Sequence, residues 1–252
     1  MSAVLKGATV VRSGRSILAD ANVECVRGEF TAFCGPNGAG KTTALSVLGG
    51  ILRPTNGDAL LDGRSVAHIS AADLARVRAV VAQSGRLGFP FHVHEVVTMG
   101  RTPFHGLTTA ADDARAVMAA MQALEIEHLG ARNYLTLSGG ERRRVDIARA
   151  LAQAAPAAGR DPGWLFLDEP TAALDLKYQI LLMRLLKRLA GEGWGIVAVL
   201  HDLLLVQDYA DRAVMFAEGR VTASDSPNEV LTPTGIQHVF GLDAPYRIAT
   251  AG

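Results

Sequence analysis

Cysteine is nearly missing from this 252-residue chain: Cys25 and Cys34 are the only two, and no CxxC pair exists. A disulfide framework and a cysteine-based zinc site are therefore both disfavoured. Cys34 sits in an apolar run and reads as a small buried hydrophobe. Excess charge is missing too, since 25 Lys and Arg balance 25 Asp and Glu. Nothing in this balance suggests a broad electrostatic footprint for nucleic acid or acidic lipid. The longest apolar runs, such as "GIVAVL" and "LLLV", fall far short of the roughly 20 residues that span a bilayer. The opening "MSAVLKGATVVRSG" has no apolar core long enough for a signal peptide. No internal repeat or low-complexity tract appears. The expectation is a soluble, cytoplasmic chain that meets a membrane only through a partner.

The chain is 49% apolar and 20% charged, a globular composition able to bury a core without staples. Its length suits one large α/β domain or two small ones. Strand-like runs occur at about 3–12, 22–34, 58–61, 79–82, 164–168, 195–200 and 212–222, with helix-like runs between many of them. Leu182, Leu185, Leu186 and Leu189 follow the spacing of one buried helix face. This alternation predicts an α/β fold with a largely parallel sheet. The middle breaks the rhythm: from about 84 to 152 the pattern is helical, with Thr109 and Asp112 spaced as a capping pair. A helical insertion in an α/β core follows. The Ala-, Gly- and Pro-rich stretch 152–163 reads as a surface loop.

The segment "GPNGAGKTT" comprises Gly35, Pro36, Asn37, Gly38, Ala39, Gly40, Lys41, Thr42 and Thr43. It follows the apolar "FTAFC" and precedes the helix-compatible "TTALSVL", the strand–loop–helix setting a phosphate-binding loop requires. Glycines let backbone amides converge on phosphate oxygens, and the helix start adds unpaired N–H groups. Lys41 offers a charge to the β- and γ-phosphates, and Thr42 a hydroxyl to Mg²⁺. In "WLFLDEP" four apolar residues lead to Asp168 and Glu169. Those acids stand at the C-terminal end of a buried strand, where ligands bind in open α/β sheets. Asp168 is the candidate Mg²⁺ partner, and Glu169 the group that polarises an attacking water.

"LSGGE", Leu137 to Glu141, has the Ser138 and Glu141 spacing of a capping box. Two adjacent glycines are costly at a helix start. A second phosphate-cradling helix N-terminus explains Gly139 and Gly140. In order, "GPNGAGKTT", Gln83, "LSGGE", "LFLDEP", "ALD" and His201 in "VLHD" resemble the nucleotide-binding subunit of an ABC transporter over nearly the whole chain. A GTPase would show an NKxD-type motif, which is missing, and a small-molecule kinase would not need LSGGE. Non-transport relatives of the family carry coiled coils, zinc cysteines or a second ATPase domain, none of which is found here.

The resemblance implies a P-loop ATPase core, about 1–84 and 153–252, with a helical subdomain at about 85–152. It implies ATP and Mg²⁺ as ligands, Mg²⁺ being met by Thr42, Gln83 and Asp168. It implies a head-to-tail homodimer in which Ser138, Gly139, Gly140 and Glu141 meet the ATP held by the partner's phosphate loop. Gln83 would sense Mg²⁺ and the γ-phosphate, His201 would orient Glu169 and the water, and Asp175 would cross the interface. The family's adenine-stacking aromatic is missing. Arg12 aligns there, either as a stacking guanidinium or as a solvated strand residue. The implied partners are two transmembrane permease subunits and, through them, a periplasmic binding protein, at the cytoplasmic face of a bacterial inner membrane.

The stretch "QSGRLGFPFHVHEVVTMGRTPFHG" from Gln83 looks like that of the haemin-import ATPases, within the iron-complex and vitamin B12 importer group. Ferric siderophore or cobalamin import is the alternative. His92 and His94 stand two apart, poorly placed for one helix face, so a ligand cluster is disfavoured. The stretch reads as a joint. Gly85, Gly88 and Pro90 supply its bends, and Phe89 and Phe91 supply apolar contacts for a membrane partner.

Overall fold

A computed structural model describes residues 1–83, 88–157, 159–244, 246 and 248. Gly85 lies outside the described residues. Two sheets organise the chain. The first is antiparallel, in the order β2-β1-β4-β5, from β1 (Ser2–Arg12), β2 (Arg15–Val26), β4 (Asn56–Leu61) and β5 (Arg64–Ser65). The second runs β10-β9-β3-β8-β7-β6, from β3 (Phe30–Cys34), β6 (Arg78–Val81), β7 (Trp164–Asp168), β8 (Gly195–Val199), β9 (Arg212–Ala217) and β10 (Arg220–Asp225). Neighbours among β9, β3, β8, β7 and β6 pair in parallel, and β10 adds an antiparallel edge.

The expected largely parallel sheet is therefore present, but the expected strand at 22–34 is two strands in two sheets. The chain turns at Arg27–Glu29, where Gly28 takes φ 87°, and so leaves the antiparallel sheet for the parallel one. The apolar content on both sides of the turn hid it. Likewise 212–222 is a hairpin, turned by Glu218 and Gly219 at φ 49° and 76°.

The helices are α1 (Lys41–Leu48), α2 (Ala71–Val77), α3 (Val93–Thr98), α4 (Ala110–Ala123), α5 (Gly139–Ala154), α6 (Leu176–Gly191), α7 (Leu203–Tyr209), α8 (Pro227–Val230) and α9 (Pro233–Phe240). Strand alternation assigns the faces of the parallel sheet to two cores. Phe30, Ala32, Leu165, Leu167, Ile196 and Ala198 pack with α3, α4, α5 and α6. Phe33, Phe166, Val197 and Val199 pack with α1 and the antiparallel sheet. Cys34 and Cys25 are both free and buried, one in each core.

The capping pair forms as the spacing demands: the Asp112 N–H donates to Thr109 Oγ1 at 3.1 Å, opening α4. Leu182, Leu185, Leu186 and Leu189 are the buried face of α6. The loop expected at 152–163 starts later, because α5 continues through Ala154 before Pro156 intervenes. Between β6 and β7 the described residues form helices and turns, with α3, α4 and α5 packed on one another. Among the described residues no helix is long and apolar enough to cross a membrane.

Candidate active site

β3 ends at Cys34, and the chain enters a loop that closes into α1 at Lys41. Two glycines of the loop have a specific steric cause. Gly35 has φ 131°, and a Cβ there would lie 2.1 Å from the Phe216 carbonyl oxygen of β9. Gly40 has φ 96°, with the Ile17 carbonyl oxygen 2.8 Å from where its Cβ would be. Only glycine lets the loop pass between β9 and β2.

The loop is one wall of a cavity of about 650 Å³ lined by Ile17, Asn37, Gly38, Ala39, Gly40, Lys41, Thr42, Thr43, Gln83, Glu169 and His201. Lys41 is 5% exposed, and its Nζ donates to the carbonyls of Gly35 at 2.8 Å and Pro36 at 2.6 Å. Burial lowers its pKa from the ordinary lysine value.

The other wall carries the acids. Asp168 is 3% exposed at the end of β7 and accepts from Thr42 Oγ1 at 2.9 Å. Burial pushes its carboxyl above the usual carboxylate range, against the lowering effect of the Thr42 hydroxyl. Glu169 follows with φ 47°, a left-handed conformation that costs a non-glycine residue strain. Gln83 Nε2 donates to Glu169 Oε2 at 2.9 Å, and His201 Nε2 meets Oε1 at 2.7 Å. The carboxylate is thus gripped from the ends of β6 and β8 while it stands at the end of β7. A glutamate so held, beside a buried lysine and a helix N-terminus, can orient a water toward a phosphate.

The donor set fits Mg²⁺. Thr42 and Asp168 offer hard oxygens side by side, and Gln83 stands at the same cavity. Among the described residues no three His, Cys, Asp or Glu side chains cluster as a metal cage. Mg²⁺ needs no such cage, because it keeps water and takes phosphate oxygens.

The structure brings Gly38 through Thr43, Asn37, Gln83, Glu169 and His201 to one cavity, with Gly35, Pro36 and Asp168 directly behind it. It does not bring the LSGGE residues there. Ser138 caps α5, accepting from the Glu141 N–H at 3.2 Å, while Glu141 Oε2 accepts from the Ser138 N–H at 2.8 Å. Gly140 has a packing reason of its own, since a Cβ would lie 2.9 Å from the Ala173 carbonyl oxygen; at Gly139 the nearest atom is at 3.7 Å, ordinary contact. Asp175 is the N-cap of α6 and accepts from the Tyr178 N–H at 3.1 Å.

Arg12 ends β1, paired across the hairpin with Arg15, and is exposed outside the cavity lining. Ile17 of β2 lines the cavity instead. Residues 15–21 carry a mixed polar and apolar pattern with no clear strand signal, so the sequence does not announce Ile17 as a cavity residue. His92 and His94 sit at the start of α3, where His92 Nδ1 lies 3.3 Å from Glu95 Oε2. Phe89 is 70% exposed.

The ABC transporter family profile matches residues 18–172, more than half of the chain. The hemin import ATP-binding protein HmuV of Hahella chejuensis is 43% identical over 236 residues, 94% of this chain and 91% of that protein. Its namesake in Gloeobacter violaceus is 44% identical, covering 94% and 86%. Among solved structures, a dimeric bacterial ABC transporter cassette superposes with TM-score 0.79 at 27% identity, over 89% of this chain and 98% of that one. A post-hydrolysis cassette bound to ADP and Pi gives 0.78 at 26% identity over the same shares. With a phosphate loop, two strand-end acids and a capped LSGGE helix in place, the chain belongs to the ATPases of the ABC transporter family.

Proposed function

We propose that this chain is the ATP-hydrolysing subunit of a bacterial haemin importer and works as a homodimer on two permease subunits at the cytoplasmic face of the inner membrane. The observation that carries the ATPase chemistry is the Glu169 carboxylate, held by Gln83 at 2.9 Å and His201 at 2.7 Å over the Lys41 loop. Lys41 leaves the Gly35 and Pro36 carbonyls for the β- and γ-phosphates. The α1 N-terminus and the amides of Gly38 to Thr43 hold the rest of the triphosphate. Thr42, Asp168 and Gln83 would hold Mg²⁺, which when bound would neutralise phosphate charge. Glu169 orients the attacking water, and His201 keeps the carboxylate aligned.

The LSGGE segment lies outside this cavity and serves the nucleotide of a second copy: Ser138, Gly139, Gly140 and Glu141 face the γ-phosphate there, and Asp175 lies at the shared seam. The dimeric cassette among the structural neighbours favours this arrangement. The haemin assignment is supported by relatives named hemin import ATP-binding proteins at 39–44% identity. The periplasmic binding protein reaches this chain through the permease.

Vesicles that contain the chain with its cognate permease provide the test. Haem-loaded binding protein in the lumen is expected to raise ATP hydrolysis outside, and unloaded or cobalamin-loaded protein to leave it low. Stimulation by a ferric siderophore or cobalamin and not by haem would replace the cargo while keeping the ATPase.

A further inference from the structure

Three arginines in a row, Arg142, Arg143 and Arg144, follow the LSGGE motif, and the chemistry above uses none of them. Successive helix residues point about 100° apart, and these three reach different places. Arg142 donates to the Leu137 carbonyl at 2.8 Å and lies over Tyr134. Arg144 donates to the carbonyls of Leu124 and Glu125, each at 2.9 Å, and lies 3.8 Å from the Tyr178 ring centroid. Both brace α5 against its surroundings.

Arg143 does something else. It is 8% exposed, and its guanidinium spends all three nitrogens on the backbone of the active site. Nη1 donates to the Ala82 carbonyl at 2.9 Å. Nη2 donates to the carbonyls of Asp168 and, at 2.9 Å, Glu169. Nε reaches the Pro170 carbonyl at 3.4 Å. These carbonyls belong to the residue before Gln83 and to the peptide units on both sides of Glu169.

Glu169 is one of seven non-glycine residues with positive φ among the described residues, at φ 47°, and the one that carries the candidate catalytic carboxylate. Strained conformations at functional sites persist only where the surroundings over-determine them. A guanidinium presents its donors in a fixed planar fork, so it fixes direction as well as distance. Lysine, with a point charge on a flexible stem, cannot bridge the same four carbonyls.

We propose that Arg143 is a positioning residue for ATP hydrolysis: its guanidinium sets the Glu169 turn and the Gln83 backbone in register, so that the carboxylate meets Gln83 and His201 in the geometry that orients the attacking water. The proposal rests on the Glu169 reading above. Arg143 touches no substrate and acts only through the main chain. It stands five residues after Ser138 on the same helix, so it also joins each subunit's own LSGGE end to its own catalytic carboxylate.

The test compares Arg143→Met, Arg143→Lys and Arg143→Ala in the full chain, with Arg144→Met as the bracing control. For Arg143→Met, kcat is expected to fall by about tenfold or more while KM for ATP stays within about twofold, as for a catalytic group displaced by a fraction of an ångström. Arg143→Lys is expected to lose kcat as well. Millimolar guanidinium is expected to restore part of the Arg143→Ala turnover, where equal urea does not. Arg144→Met is expected to lower the melting temperature and keep kcat per folded molecule.

Each kcat is normalised to the fraction that binds nucleotide, so unfolding is counted separately. Wild-type normalised kcat in Arg143→Met would overturn the proposal. If Arg143→Met does not fold, absence of guanidinium rescue in Arg143→Ala, together with wild-type normalised kcat in Arg143→Lys, overturns it. Failure of the Glu169 reading looks different: Glu169→Gln would then hydrolyse ATP like the wild type.

Discussion

The chain carries two glycine-bearing helix starts, and they are built in opposite ways. The Gly35–Thr43 loop is walled in. Lys41 is 5% exposed, Gly35 abuts the Phe216 carbonyl, and the loop shares its cavity with Glu169 and His201. The Ser138–Glu141 start is closed by its own capping box and by Ala173 beside Gly140, while Ser138 and Gly139 are exposed and Gly139 meets nothing nearer than ordinary contact. The first loop has Gln83, Glu169 and His201 of its own chain beside it. The second is a helix start with a locally satisfied cap and an open face. Two phosphate-cradling motifs in one sequence therefore do not make two sites in one chain.

The largest effect that tests this contrast is catalytic. Glu169→Gln keeps the size of the side chain and removes its charge, so ATP turnover is expected to fall by about 10²–10⁴, the usual range for a general base, with ATP still bound. Steady-state hydrolysis beside nucleotide binding measures it, and unchanged turnover would remove Glu169 from its role. Next comes Lys41→Ala. Loss of one buried charged donor is expected to weaken ATP binding by about tenfold to a hundredfold, read by fluorescent-nucleotide titration. Equal affinity would mean the loop does not carry the triphosphate.

Gly35→Ala and Gly139→Ala sharpen the comparison directly. The first forces a Cβ against the Phe216 carbonyl and is expected to cost about 1–3 kcal/mol of stability through backbone strain. The second meets only ordinary contact and is expected to stay within about 0.5 kcal/mol of wild type, yet to lose ATP turnover. Thermal melts paired with hydrolysis assays separate them, and a stable, active Gly35→Ala would dissolve the contrast.

The smallest effect concerns Cys25 and Cys34, whose thiols burial pushes up to about 12. In the unfolded chain a thiol loses its proton near about 8.5. Between those pH values the unfolded state binds fewer protons than the folded one, so stability falls as pH rises. Native thiols are expected to resist alkylation at pH 8 and to react on denaturation, and rapid labelling of folded protein would contradict the burial.

Much of this was legible in the sequence because local rules govern it. The phosphate loop, the Thr109 and Ser138 caps and the leucine face of α6 each depend on residues within a few positions of one another. What escaped depends on distant chain. The break between β2 and β3 is the short turn Arg27–Glu29 between two strand-like stretches, and only the two sheets show its purpose. Ile17 lines the cavity because β2 is folded over the loop, which no residue pattern around position 17 announces. Arg143 reads as one more charge on a helix until β6 and β7 bring four carbonyls to it. Arg12, at the position where the family resemblance implies an adenine-stacking residue, falls outside the cavity wall that Ile17 occupies.

In the homodimer proposed above, the open LSGGE face of one chain completes the walled site of another. Sedimentation of Glu169→Gln with and without Mg·ATP tests it most directly. A monomer is expected without nucleotide and a dimer, holding two ATP, with it; Gly139→Ala in the same background should weaken that dimer. A chain that binds ATP stoichiometrically and still sediments as a monomer at every concentration would contradict it.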